Sequence, residues 1–109
     1  MPNRSRNLQE MANLISNAAA HRAIYGEHAF TIREAALYEG QADRLAEMRT
    51  WNAQELTQLE ERSKRAARNI IKNRRADWQT KTFDELCFLA DREIEKFITR
   101  VRTQQARKN

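Results

Sequence analysis

Residues 45–56 read LAEMRTWNAQEL, and the backbone path through this stretch decides between two folds. The alternating spacing of three and four residues that marks a heptad repeat continues through it, with mostly apolar residues at these positions on either side. Read literally, residues 31–76 form a single helix about 70 Å long. Arg49 and Asn52 interrupt the apolar seam at its middle, and helices much longer than about 25 residues are uncommon in single domains. We therefore predict a turn near Trp51.

A turn at this point predicts an all-α, up-and-down bundle of about four helices. The alternative is three helices, with one long helix over 31–76 in an antiparallel dimer. Capping-box patterns, in which a Ser, Thr, Asp or Asn precedes a Glu by three residues, mark helix starts at Asn7, Thr31, Asn52 and Thr82. The predicted helices span residues 7–25, 31–50, 52–76 and 82–105. Gly26-Glu27-His28 separates the first two helices.

The composition agrees with an all-helical chain. Only two glycines and one proline occur among the 109 residues, so the residues that interrupt helices and form tight turns are scarce. The length favours a single helical domain over 1–109, with short flexible ends at 1–6 and 104–109.

The predicted core is thin. Leu, Ile, Val and Phe together number 20 of 109 residues, while alanine alone numbers 16. Alanine buries little area, and small domains are already short of buried surface, so we expect a homo-oligomer, most simply a homodimer. The fourth helix has the clearest apolar stripe, and Phe88 and Leu89 widen it near the start. That end should be the most buried part of the chain.

The third predicted helix carries a basic segment. Residues 62–75 read RSKRAARNIIKNRR, with seven lysines and arginines and no acid. At about 100° per residue, five of these bases fall within an arc of about 100°. They are Lys64, Arg65, Arg68, Lys72 and Arg75. Arg74, Trp78 and Lys81 extend the group beyond that face.

Acidic residues could neutralise part of this face. Residues 27–61 carry a net charge of −5, and residues 62–81 carry +7. If helices two and three form an antiparallel hairpin, Glu39 lies level with Lys64 and Arg65, and Glu34 lies level with Arg68. Pairs spaced four apart on helix three are Glu60 with Lys64 and Glu61 with Arg65. Lys72, Arg74, Arg75 and Lys81 then remain with only Asp77 near them in sequence, so the unpaired excess lies toward the end of the helix.

Trp78 has two interpretations. An aromatic side chain among lysines and arginines can stack on an exposed nucleobase while the basic side chains hold phosphate. A lone aromatic at a helix end more commonly covers the core, and we favour that interpretation.

The leading functional hypothesis is a small non-catalytic protein that binds the DNA or RNA backbone. The expected contacts are Lys64, Arg65, Arg68, Lys72, Arg74, Arg75, Trp78 and Lys81. The sequence before the basic helix lacks the short helix pair and tight turn of a helix-turn-helix. We therefore expect the protein to contact the nucleic-acid backbone rather than the nucleobases. The alternative is a protein-interaction module whose basic face docks an acidic partner, such as an adaptor, inhibitor or assembly factor of a phage, plasmid or bacterial system. A third hypothesis is a purely structural, self-assembling bundle.

No residue pattern predicts an enzyme, a metal site or a cofactor. His21 and His28 read as surface or cap histidines, and Cys87 reads as an inert buried thiol. No stretch has the roughly 18 consecutive apolar residues of a membrane span, so we expect no membrane partner. With one cysteine and no signal-peptide pattern, we expect a cytoplasmic protein.

Overall fold

The four-helix prediction is confirmed. The computed structural model describes residues 4–26 and 29–108, the side chains of 29–31 and 108 excepted. This part of the chain contains no strand, and its helices are α1 (Arg4–Tyr25), α2 (Ala29–Glu47), α3 (Ala53–Arg74) and α4 (Phe83–Lys108). They form a compact bundle with extents of 46 × 25 × 24 Å.

The predicted turn near Trp51 is present, so the single long helix over 31–76 is wrong. α2 ends at Glu47, and α3 begins only after Asn52. The predicted capping box is complete, because the Glu55 backbone N–H donates to Asn52 Oδ1 at 2.7 Å and the Asn52 backbone N–H donates to Glu55 Oε1 at 3.0 Å. These two bonds satisfy donors that a helix start would otherwise leave unpaired.

Tertiary contacts hold this turn. The Trp51 side chain is only 2% exposed, and its indole N–H donates to the Ala46 carbonyl at 3.2 Å. Its backbone N–H donates to Gln105 Oε1, near the end of α4, at 3.0 Å. Arg4, at the start of α1, donates to both carboxylate oxygens of Glu55 and to the Thr50 carbonyl. The turn is therefore tied to the first and last helices.

The connection after α1 uses the chain's one described backbone position with positive φ. Gly26 has φ +69°, and its N–H donates to the Arg22 carbonyl at 3.0 Å. A left-handed glycine is the usual way to end a helix, because only glycine adopts that conformation without steric cost. The rest of the predicted break, Glu27 and His28, lies outside the described residues.

The helices do not pack in the order of the sequence. α1 packs against each of the other three helices, and α3 packs against α4. Arg4 meets Glu55 and Gln9 meets Arg62, so α1 and α3 run parallel. Among the described residues α2 does not pack along α3, although the two are consecutive. The hypothetical α2–α3 hairpin is therefore wrong.

The core lies mainly between α1, α3 and α4. Its largest fully buried apolar side chains are Met11, Leu59, Ile71, Leu86, Ile94, Ile98 and Val101. The described side chains of α2 contribute only alanines to the buried set, namely Ala35, Ala42 and Ala46. Closely packed alanines bury little area each, so α2 is the most thinly anchored helix.

The start of α4 is not its most buried part. Phe88 is 60% exposed and Leu89 is 36% exposed, while the inner stripe from Leu86 to Val101 is buried as predicted. The reason is geometric: the neighbouring helices cover only the inner side of α4, and Phe88 lies on its outer side. The expected burial of this end is therefore wrong.

The predicted flexible ends overlap the helices. α1 already begins at Arg4, which is bonded to Glu55, and α4 continues to Lys108. Gln105 is buried and accepts the bond from Trp51, which explains why the helix extends past residue 104. Residues 1–3 and 109 lie outside the described part of the chain.

Candidate nucleic-acid interface

The basic segment lies on α3, which presents one face to the core and one to solvent. Leu59, Ser63, Ala67 and Ile71 form the buried face. The predicted bases point away from it, and Lys64 alone among them is mostly shielded, with a side chain 22% exposed.

Ion pairs with α4 occupy the middle of the basic segment. Lys64 Nζ lies 3.0 Å from Glu95 Oε2 and also 3.0 Å from Glu60 Oε2. Arg68 Nη2 lies 2.9 Å from Asp91 Oδ2. Partial burial lowers the pKa of Lys64, but the bonds to the two carboxylates outweigh burial, and the pKa is raised above its ordinary value. Lys64 and Arg68 are thus both paired with carboxylates within the protein.

The neutralising helix is α4, and the prediction of α2 is wrong. Glu39 pairs with Arg22 of α1 at 2.6 Å, and Glu34 lies 3.2 Å from His21 of α1. Both acids face α1 because α2 packs there. A signal for the true pairing existed in the sequence, because Asp91 and Glu95 repeat the four-residue spacing of Lys64 and Arg68 in antiparallel register.

Of the two ion pairs predicted within α3, one is present and one is absent in the described part of the chain. The predicted bond between Glu60 and Lys64 is confirmed. The predicted pair of Glu61 with Arg65 is wrong, since neither has an ion-pair partner among the described side chains. Both are exposed, and such surface pairs contribute little stability, so no strong force brings these side chains together.

A group of unpaired cations remains where α3 ends and the chain crosses to α4. They are exposed and have no ion-pair partner among the described side chains: Lys72, Arg74, Arg75 and Lys81. With Trp78 these four residues form what we call the basic end. Arg65 is likewise unpaired but lies two turns earlier on α3. Compared with the eight residues predicted, the unpaired set has lost Lys64 and Arg68 to α4.

Trp78 is exposed, so the favoured interpretation of a core residue is wrong. Its side chain is 59% exposed, and its ring centroid lies 5.9 Å from that of Tyr25, with 32° between the ring planes. Tyr25 supports the indole, and more than half of the Trp78 surface is left to solvent. An exposed aromatic ring near lysines and arginines that have no ion-pair partner is the arrangement that proteins use to bind single-stranded nucleic acid.

Hydrogen bonds hold the loop that carries Trp78. Gln79 Nε2 donates to the Ile24 carbonyl at 2.9 Å, which attaches the loop to the end of α1. The Gln79 backbone N–H donates to the Ala76 carbonyl, and the Lys81 N–H donates to Gln79 Oε1. The indole is therefore presented from an ordered loop.

The two predicted surface histidines have different outcomes. His21 is 8% exposed, which makes the surface prediction wrong for this residue. Its Nδ1 lies 3.0 Å from the Asn17 carbonyl, and its ring contacts Tyr25 and Tyr38. Packing of α2 against α1 buries it. His28 lies outside the described residues.

Cys87 is buried as predicted, and burial raises the pKa of its thiol. Its thiolate is thereby disfavoured, as expected of a structural cysteine. Within the described part of the chain, no group of three or more His, Cys, Asp and Glu side chains could hold a metal ion.

Sequence reasoning missed three cations close to the loop. Arg22, Arg92 and Lys96 line one cleft together with Lys81. They come from two different helices, so no local spacing connects them. Only the four-residue separation of Arg92 and Lys96 hinted that two of them share a face.

Comparison with protein-family models, with curated proteins and with solved structures finds no match to this chain. None of the helices in the described residues combines the length and the apolar character needed to span a bilayer.

Proposed function

We propose that this is a small non-catalytic protein that associates with the backbone of single-stranded nucleic acid through its basic end. The observation that carries the proposal is the group of four cations without an ion-pair partner among the described side chains, close in sequence to a half-exposed tryptophan. Lysines and arginines that neutralise phosphates release bound counterions, and this release drives non-specific association.

The single strand is favoured over the duplex because of Trp78. A base can stack on its open face only when the base is not enclosed in a double helix. The cations flank the indole on both sides in sequence, with Arg74 and Arg75 before it and Lys81 after it. Such a surface follows a backbone and recognises bases only by stacking, so we expect low sequence specificity.

The basic side chains that already form ion pairs with α4 have a secondary role in the proposal. Lys64 and Arg68 already bond to α4 carboxylates, and a phosphate would have to compete with Glu95 and Asp91. We therefore expect most of the affinity to come from Lys72, Arg74 and Arg75.

A salt titration with a fluorescently labelled single-stranded oligonucleotide tests the proposal. We expect the variant K72E/R74E/R75E to lose at least about tenfold in affinity at low salt. The slope of log K against log salt should fall by about 2, because each single-strand phosphate contact contributes about 0.7. Fluorescence anisotropy between about 50 and 200 mM salt measures both quantities.

A matched charge reversal at the other end of the bundle is the control. Arg44, Arg102 and Arg107 are exposed and lie near the C-terminal ends of α2 and α4. The variant R44E/R102E/R107E changes the net charge equally and should bind nearly as wild type. An equal loss of affinity in both variants would mean that the oligonucleotide is attracted by the net charge of the protein alone. Absence of binding by the wild type at low salt would overturn the proposal.

A second candidate is an acidic protein partner, and the exposed start of α4 favours it. Phe88 and Leu89 line an apolar groove whose other lining residues are Lys81, Asp84 and Glu85. An acidic partner would be held by the unpaired cations of the basic end and would place an apolar anchor in this groove. A pull-down with and without nuclease distinguishes the candidates, because a protein complex survives digestion and association through nucleic acid does not.

The expected homodimer and the cytoplasmic location stay predictions. Self-association would cover exposed apolar side chains such as Leu37, Met48 and Phe88. Sedimentation velocity at micromolar concentration measures the mass in solution, and a monomer at every concentration would contradict the dimer.

A further inference from the structure

A cleft of about 340 Å³ opens between the end of α1, the loop before α4 and the first half of α4. Four of its lining side chains are cationic, one is a carboxylate, and the rest are small or apolar. The lining residues are Arg22, Ala23, Gly26, Lys81, Leu89, Arg92, Glu93 and Lys96. This cleft shares only Lys81 with the basic end.

The four cations differ in how firmly the protein holds them. Arg22 is fixed by Glu39, whose Oε1 accepts from its Nε at 3.0 Å and its Nη2 at 2.6 Å. The Lys96 side chain is 65% exposed, and its Nζ lies 3.4 Å from Glu93 Oε1. A surface ion pair this long contributes little stability. Lys81 and Arg92 have no ion-pair partner among the described side chains, although the Arg92 guanidinium carbon lies 5.8 Å from the centroid of the Phe88 ring.

The shape of the cleft leaves room for an anion. Gly26 contributes no side chain, and a methyl group built at this position would meet no atom within 4 Å. Ala23 and Leu89 supply apolar wall, where charge interactions are screened less than in open water. A compact group of negative charge with several acceptor oxygens satisfies these cations best, and phosphate is such a group.

The cleft adjoins the aromatic pair of the basic end. Tyr25 supports the Trp78 indole and directly precedes Gly26 in the cleft wall. Lys81 follows Trp78 by three residues and lines the cleft from the other side. Because the chain from Trp78 to Lys81 spans at most about 11 Å, the residue that carries the indole lies near this opening.

We infer that the cleft binds one phosphate of a single-stranded nucleic acid whose neighbouring base stacks on Trp78, an inference that rests on the proposed function. Lys81, Arg92 and Lys96 donate hydrogen bonds to the phosphate oxygens, and the Arg22–Glu39 pair forms the fixed wall behind them. The bound strand then runs from the end of α3, past Trp78, onto α4.

The test uses the variant R92Q/K96Q, which removes two cleft charges and leaves the basic end unchanged. Binding of an unlabelled oligothymidylate is followed by quenching of tryptophan fluorescence, which reports on exposed Trp78 because Trp51 is buried. We expect about a fivefold to tenfold loss of affinity, and a salt slope lower by about 0.7, as for one single-strand phosphate contact. The control R102Q/R107Q removes two exposed charges farther along α4 and should match the wild type.

The outcomes separate this inference from the proposed function. If R92Q/K96Q binds as the wild type does while K72E/R74E/R75E is weakened, the cleft inference is overturned and the basic end stands. If the wild type shows no binding at low salt by fluorescence anisotropy, both are overturned, whereas binding without tryptophan quenching overturns the cleft inference alone. If W78F removes the quenching and R92Q/K96Q lowers both affinity and slope, the inference is supported.

Discussion

The two ends of the bundle each contain a tryptophan among basic residues, yet one tryptophan is buried and the other is exposed. Trp51 is 2% exposed, with the guanidinium carbons of Arg4 and Arg49 at 5.1 and 5.7 Å from its ring centroid. Trp78 is 59% exposed and follows Arg74 and Arg75. Both tryptophans follow an arginine by two to four residues, yet their environments differ.

The difference lies in what the rest of the fold brings to each end. At the Trp51 end, Glu55 accepts the Arg4 guanidinium, and Gln105 accepts the Trp51 backbone N–H. At the Trp78 end, no carboxylate among the described side chains pairs with Arg74 or Arg75. Arginines and lysines beside an aromatic residue stabilise the fold where hydrogen-bond acceptors contact them. Where no acceptor contacts them, they remain available to a ligand.

Truncating each tryptophan should give the largest contrast. We expect Trp51→Ala to lower the free energy of unfolding by about 3–5 kcal/mol, because it opens a cavity and leaves the turn without its anchor. Trp78→Ala should change stability by less than about 1 kcal/mol, since the side chain is largely solvated. Urea unfolding followed by circular dichroism measures both values, and similar losses would contradict the contrast between the ends.

Oligonucleotide affinity should respond in the opposite sense. Trp78→Ala should weaken single-strand binding by about 1–3 kcal/mol, the usual value of one stacked base. The matched variant Trp78→Phe keeps an aromatic face and should recover most of this loss. If Trp78→Ala binds as tightly as the wild type, stacking at the basic end is excluded.

The acid dependence of stability should sharpen the comparison at the Trp51 end. The bond from Arg4 holds the pKa of Glu55 below its usual value, so the unfolded chain takes up the proton at higher pH than the folded one. The stabilisation is therefore complete above about pH 4.3 and is lost as pH falls through the lower, folded pKa. Glu55→Gln, which can still form the capping box, should flatten this acid-induced loss.

Urea unfolding at several values between about pH 3 and pH 6 compares the wild type with this variant. Glu61→Gln serves as the control, because Glu61 is an exposed acid on the same helix without an ion-pair partner among the described side chains. An identical acid dependence in the wild type and Glu55→Gln would show that the bond to Arg4 does not stabilise the turn.

The smallest expected effect is on stability at the basic end. K72E/R74E/R75E removes no ion pair within the described residues, so the free energy of unfolding should change by no more than about 0.5 kcal/mol per substitution. Thermal unfolding of the variant measures it. A large loss would mean that these cations stabilise the fold and are not free for a ligand.

Much of the local structure could be predicted. The helices, the turn near Trp51 and the capping box of Asn52 with Glu55 follow from periodicity and from interactions within a few residues. The neutralising helix was predicted wrongly, because α2 and α3 are consecutive but not packed along one another. The burial of Trp78 and Phe88 was also predicted wrongly, since an apolar residue near a helix end gives no local sign of whether another element covers it.

The sequence by itself determined four amphipathic helices and an acid-free basic segment on the third, because the spacing that creates a helical face acts within one or two turns. Only the tertiary structure decided that Lys64 and Arg68 bond to α4, that Trp51 is enclosed and Trp78 open, and that Arg22 and Arg92 meet Lys81 at one cleft. These properties depend on which helices become neighbours. That choice depends on long-range packing around α1, which no local spacing encodes.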